Sequence, residues 1–117
     1  LDQLNQRKRG DMLQMEFPNP PFEGDSQIVP LDTAKAMLDE GIEMEHCVFS
    51  HAGRVLDGNY YAYKVLAPIR ATLSLRRHTD GWKLEEASGF KNGRLDERLI
   101  HNLFERLTRP YGCCMHV

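Results

Sequence analysis

The chain has 117 residues, 41% hydrophobic and 27% charged, with a net charge of −2. That length supports one hydrophobic core rather than two, and the ordinary composition argues against wholesale disorder. No apolar run approaches the roughly 18 residues a membrane span needs, and the polar, partly basic stretch Leu1 to Met12 is not a secretory signal.

Charge is unevenly spread. Arg70 to Arg109 carries nine Lys/Arg against six Asp/Glu, and the residues before Arg70 carry six against eleven. Such polarity can steer a charged partner, but it also fits an ordinary solvated surface, and strong nucleic-acid binders are more basic. The three cysteines, Cys47, Cys113 and Cys114, are odd in number with two adjacent, so no disulfide framework follows. A reducing, cytoplasmic compartment is expected. Leu1 is not an initiator methionine, which leaves open a trimmed chain or a fragment.

In chain order, residues 1–26 read as an extended arm, with a short helix conceivable over the first dozen residues. Phe17-Pro-Asn-Pro-Pro-Phe22 interrupts regular structure because proline fixes φ and removes donors. Phe17 and Phe22 are expected to anchor the arm on the core, a linker to a partner being the rival reading. Residues 27–109 read as a single globular α+β domain and 110–117 as a C-terminal tail. Gln27 to Pro30 suits an extra edge strand. Asp32 or Thr33 can cap a helix over about 32–40 that Gly41 ends, with Leu31, Ala34, Met37 and Leu38 buried. A second helix is predicted over about 48–56.

A three-stranded antiparallel meander follows, over about 60–66, 69–77 and 81–87. Ile69, Ala71, Leu73 and Leu75 alternate with Arg70, Thr72, Ser74 and Arg76, the period of a strand. Thr79-Asp80-Gly81 signals the hairpin. A last helix is predicted over about 96–108, with Leu99, Ile100, Leu103, Phe104 and Leu107 as its stripe. Helices are expected on the Ile69/Leu73/Trp82 face, leaving Arg70, Thr72, Ser74 and Arg76 open or under the arm. The α-β-β-β-α order is that of double-stranded-RNA-binding domains, but Asp96 and Glu97 stand where those domains carry a basic cluster. Fold order says little about function.

Three groups of residues could carry chemistry. Cys47 lies beside His46 and one helical turn before His51, so either imidazole could activate it as a nucleophile; the alternative is a small packed core residue. Arg70, Thr72, Ser74, Arg76 and Lys83, with nearby tyrosines, could bind phosphate and stack bases, or form a plain solvated face. His46, Cys47, His51, Cys113, Cys114 and His116 contain metal-ligand types but no compact quartet, so no metal site and no cofactor is assigned. There is no phosphate-binding glycine loop, nucleophile elbow or H-E-x-x-H.

The runs Ile28-Val-Pro-Leu31, Thr33-Ala34, Met44-Glu-His-Cys-Val48, Val55-x-x-Gly58, Tyr63-x-Val65, Arg70-Ala-Thr-Leu-Ser74, Trp82 and Gly89-x-x-Asn92 together resemble the PcfJ-like family. These are bacterial proteins associated with plasmids and other mobile elements. The resemblance spans Ile28 to Asn92. In the family pattern Gly and Tyr often follow His-Cys-Val, whereas Phe49-Ser50-His51 stands here. The resemblance implies no reaction; it marks His46, Cys47, Thr72, Gly89 and Asn92 as positions to test.

The resulting expectation is a non-catalytic accessory or binding domain of a mobile-element or host–phage conflict system. It would contact nucleic acid or a protein complex and no membrane, with Arg70, Thr72, Ser74, Arg76, Lys83 and Asn92 as contacts. The alternatives are a cysteine-dependent enzyme using Cys47 with His46 or His51, and a zinc-stabilised interaction module.

Overall fold

The computed structural model describes residues 15–110. The readings that rest on the first dozen residues, and on Cys113, Cys114 and His116, lie outside the described residues.

The meander is formed by β2 (Tyr60–Val65), β3 (Ala71–His78) and β4 (Gly81–Ser88). A further strand, β1 (Ile28–Pro30), pairs antiparallel with β2, giving a four-stranded sheet in the order β1-β2-β3-β4. Pro30 is tolerated because β1 is an edge. The β3–β4 hairpin turns through Thr79 and Asp80, with His78 opposite Gly81. Gly81 has φ 126, a conformation in which a Cβ is strained. The helices are α1 (Ala34–Met44), the short α2 (Ala52–Leu56) and α3 (Glu97–Thr108), with 3₁₀ turns at Val48–His51 and Phe90–Asn92.

Helix α1 starts on Thr33, whose hydroxyl accepts from the Ala36 N–H at 3.0 Å. It does not stop at Gly41 as expected but continues to Met44, where Glu45 caps it in the left-handed region at φ 52. Gly41 serves a different purpose. The chain turns back so that the His46 N–H donates to the Gly41 carbonyl at 3.0 Å. A Cβ on Gly41 would lie 3.0 Å from the His46 carbonyl oxygen. The glycine therefore lets the His46–Cys47 segment pack against the helix.

Cross-strand register assigns the two faces of the sheet. Tyr61, Tyr63 and Val65 share one face with Leu75, Leu73 and Ala71; Tyr60, Ala62 and Lys64 share the other with Arg76, Ser74 and Thr72. The arm lies against the first face. Tyr61 Oη donates to the Pro18 carbonyl at 2.8 Å, and Tyr63 Oη to the Phe22 carbonyl at 2.7 Å. Phe17 and Phe22 are buried there in the hydrophobic core. Arg106 of α3 clasps the arm through Asp25 at 3.0 Å and Gln27 at 2.7 Å, while Leu103 and Leu107 are buried.

The second face corrects the expectation of a polar surface left open or lying under the arm. It is covered by α1, the 3₁₀ turn and α2, so Thr72 and Ser74 are only 5% and 4% exposed. Ile69, expected in the buried stripe, sits in the turn before β3 and is exposed. Alternation identifies which side chains share a face; it does not say what covers that face.

Candidate functional site

Glu40 of α1 is 1% exposed, a carboxylate inside the helix–sheet layer. Burial of a carboxylate requires partners, and β3 and the residue just before it supply them. Arg70 forks onto it, with Nη1 to Oε2 at 2.9 Å and Nη2 to Oε1, and Thr72 Oγ1 donates to Oε2. Arg70 also reaches Glu43 at 3.1 Å and the Ala71 carbonyl at 3.0 Å.

This chain of bonds sets the tautomer of His46. The Thr72 hydroxyl has one proton, donated to Glu40, so at its 2.8 Å contact with His46 Nε2 it accepts. The ring proton is therefore on Nε2. Nδ1 then accepts from the Val48 N–H at 3.4 Å. His51 is fixed similarly. Arg54 Nη1 donates to its Nδ1 at 3.1 Å, which leaves the proton on Nε2. The His51 ring stacks on Tyr60 with centroids 4.5 Å apart. Burial pushes the Tyr60 hydroxyl up to about 12.

Arg54 forks onto Glu85, at 2.9 and 2.7 Å, and lies 4.6 Å over the Tyr60 ring. The hydrogen bonds from Arg54 hold the Glu85 carboxyl below the usual carboxylate range. A bulge in the β3–β4 register between Ser74 and Leu75 inserts Glu85 beside Glu86. Bulges re-aim side chains in this way, and here Glu85 serves Arg54 while Glu86 is left for the space next to it.

That space is a cleft of about 120 Å³. Its helix-side wall is His46, Cys47, Val48, Ser50 and His51; its floor is Tyr60, Thr72 and Ser74; Glu86, Ser88 and Asn92 complete the far side. Asn92 is delivered by a tight loop in which the Gly89 N–H donates to the Gly93 carbonyl and the Gly93 N–H to the Phe90 carbonyl, both at 2.9 Å. Lys91 and Asn92 both take positive φ, 55 and 60. Together with Glu45, next to His46, they are the non-glycine residues with positive φ among those described. Such conformations cost ~1–3 kcal/mol each and gather at functional sites; here they flank one cleft.

The fold thus brings together His46, Cys47, His51, Thr72, Ser74 and Asn92, which are dispersed in sequence. It does not bring the cations with them. Arg70 is bound to Glu40, Arg76 donates to the Leu84 carbonyl at 3.0 Å, and Lys83 lies 3.5 Å from Asp80. No lysine or arginine lines the cleft. Cys47, whose expected alternatives were nucleophile or buried core residue, is exposed, and its thiol bonds to neither imidazole. Among the described residues no group of three or more His, Cys, Asp or Glu could hold a metal, and no helix is long and apolar enough to cross a membrane.

Glu40, Tyr60, Glu86 and Ser88 were missed as site residues. Glu40 carried a signal, a charge one turn after Met37 on the stripe side of α1. Glu86 and Ser88 carried none, because the bulge shifts their register.

The family model for PcfJ-like protein matches residues 3–99, well over half of the chain. The chain belongs to the PcfJ-like family. No curated protein and no solved structure is significantly similar to it. The five positions that the resemblance singled out all sit at or beside this cleft: His46, Cys47, Thr72 and Asn92 line it, and Gly89 opens the loop that carries Asn92.

Proposed function

We propose that this PcfJ-like chain is a non-catalytic binding domain of a mobile-element or host–phage conflict system, docking a protein partner at the cleft. The observation that carries this reading is the charge of the site. The cleft has an exposed carboxylate, Glu86, with no ion pair among the described residues, and no cation in its lining. Nucleic-acid binding draws its affinity from lysine and arginine facing phosphates. The arginines expected to do so are engaged within the fold, Arg70 by Glu40 and Arg76 by the Leu84 carbonyl.

The cysteine-enzyme reading has the exposed Cys47 in its favour, beside two imidazoles. A general base must present a free acceptor nitrogen within reach of the thiol. Both rings have Nδ1 engaged and Nε2 protonated, so binding is the better-supported reading.

The test is charge reversal at Glu86, which is exposed and dispensable for packing. Wild-type and Glu86→Arg chains serve as baits in cells that carry the mobile element, with retained protein and nucleic acid both quantified. The expected result is a discrete protein held by the wild type and lost by Glu86→Arg. Retention of DNA or RNA that Glu86→Arg strengthens, or a protein profile indifferent to the substitution, would overturn the reading.

A further inference from the structure

The cleft lining carries unpaired donors, among them His51 Nε2–H and the Cys47 thiol, and a set of unpaired oxygen acceptors on Glu86, Ser88 and Asn92. Ser88 is 8% exposed, lines the cleft, and its hydroxyl bonds to no described residue. Among the described residues Arg70 Nε is the buried side-chain nitrogen or oxygen without a partner, so the Ser88 hydroxyl is instead reached from the cleft and open to whatever fills it. Glu86 lies two residues before it on β4, opposite Ser74 as Ser88 lies opposite Thr72, so both flank the helix-covered face. The Asn92 carboxamide, presented on its strained loop, has no bond to a described residue either. Two carboxylate oxygens, an amide oxygen and a hydroxyl oxygen thus meet around a space with no positive charge of its own.

Size narrows the ligand. A cavity of roughly 150 Å³ takes a benzene ring, and sites for whole small molecules begin near ~300 Å³. About 120 Å³ therefore suits one planar group and not a nucleotide or cofactor. The protein also shows what its own Glu85 does in the adjacent position. Glu85 takes the guanidinium of Arg54 in a bidentate fork, over the ring of Tyr60, and Tyr60 lines the cleft as well. Guanidinium is planar, permanently charged, rich in donors and shaped to fork onto a carboxylate; an ammonium is a compact point charge that uses neither the plane nor the fork.

We infer that the cleft receives an arginine side chain of the partner protein, held by Glu86, Ser88 and Asn92. This rests on the protein-docking reading above. Glu86 forms the charged fork, Ser88 Oγ and Asn92 Oδ1 accept the remaining N–H groups, and the His46–Thr72–Glu40 chain holds the opposite wall in place.

The experiment is a titration of the ¹⁵N-labelled full chain with N-acetyl-arginine amide, followed by NMR, with the lysine and citrulline amides as comparisons. Saturable shifts are expected at Glu86, Ser88 and Asn92, including the Asn92 side-chain NH₂. Citrulline, the neutral isostere, should bind about tenfold more weakly, as should the Glu86→Gln variant toward arginine. Ser88→Ala should weaken binding about threefold. Shifts elsewhere, citrulline binding as well as arginine, or an indifferent Glu86→Gln would overturn the inference. Should arginine amide fail while Glu86→Arg still abolishes partner capture, the arginine inference falls and the docking reading stands. Arginine binding in the cleft, combined with capture indifferent to Glu86→Arg, would instead sink the docking reading.

Discussion

Thr72 shows how one hydroxyl can couple two layers of the fold. It donates to the buried Glu40 carboxylate and accepts from His46, so the position of the helix-side wall depends on a β3 side chain. Valine at this position keeps the β-branched shape and removes both bonds. It leaves Glu40 with Arg70 alone and His46 Nε2 without an acceptor. A buried polar group deprived of its partner costs ~1–3 kcal/mol, so Thr72→Val should lower stability by about that amount in urea denaturation. Loss of the bond should also release the imidazole. In the wild type, two-bond ¹H–¹⁵N correlations should report the Nε2–H tautomer of His46; in Thr72→Val that preference should fade. Thr72→Ser, which keeps the hydroxyl, should retain the tautomer. Persistence of the tautomer in the valine variant would show that the Val48 N–H alone sets it.

At the scale of elements, α1 and the segment after it make the site, and Gly41 is where they meet. In an exposed helix interior Gly→Ala stabilises by ~1 kcal/mol. Here the added Cβ would stand 3.0 Å from the His46 carbonyl oxygen, a backbone atom that is itself part of the chain reversal. Gly41→Ala is therefore expected to destabilise by about 1 kcal/mol and to displace the His46 and Cys47 resonances. The β3–β4 hairpin signals should hardly move. A stabilised variant with an unchanged His46 environment would refute the close-approach argument. This glycine also explains what could be read in the sequence. The strands were legible because Ala71, Leu73 and Leu75 alternate with polar residues and Asp80-Gly81 marks the turn. The end of α1 was misread because a glycine required for close packing looks the same in sequence as one required for a cap. The cleft was legible only as scattered candidates. His46 and Thr72 are 26 residues apart, and their contact arises only when the reversed segment folds onto β3. Glu40 was passed over because hydrophobic periodicity has no place for a charge that is buried with its counter-ion. The arginines were read as a surface because alternation does not reveal that helices cover that face.

Across the whole molecule, ion pairs tie elements distant in sequence together, and this shapes the response to acid. Arg54–Glu85 joins α2 to β4, Arg70–Glu43 joins α1 to the start of β3, and Arg106–Asp25 joins α3 to the arm. Hydrogen bonds from Arg54 lower the Glu85 carboxyl, and those from Arg70 lower Glu43. For Asp25, burial acts upward, but the Gln27 and Ile28 N–H groups and Arg106 together bring the carboxyl below its usual range. Each of these carboxyls is thus more acidic folded than unfolded. As pH falls through about 4 the unfolded chain takes up protons first, so the stability present above that range is lost as pH drops through the folded values. The contribution of these carboxyls to the urea midpoint should be nearly flat from about pH 7 to pH 5 and should decline below about pH 4.5. Arg54→Met returns Glu85 toward its ordinary value, so the decline should become shallower in that variant even though its stability at neutral pH is lower. Parallel wild-type and Arg54→Met midpoints across the acid range would mean that Glu85 is as acidic unfolded as folded. Alkali acts with the opposite sign. Burial pushes Tyr60 up to about 12, so its contribution is complete below the ordinary phenol value of about 10 and is lost as pH rises through 12. Tyr60→Phe removes the titrating hydroxyl while keeping the ring under His51 and Arg54, and should therefore extend stability into the alkaline range relative to the wild type.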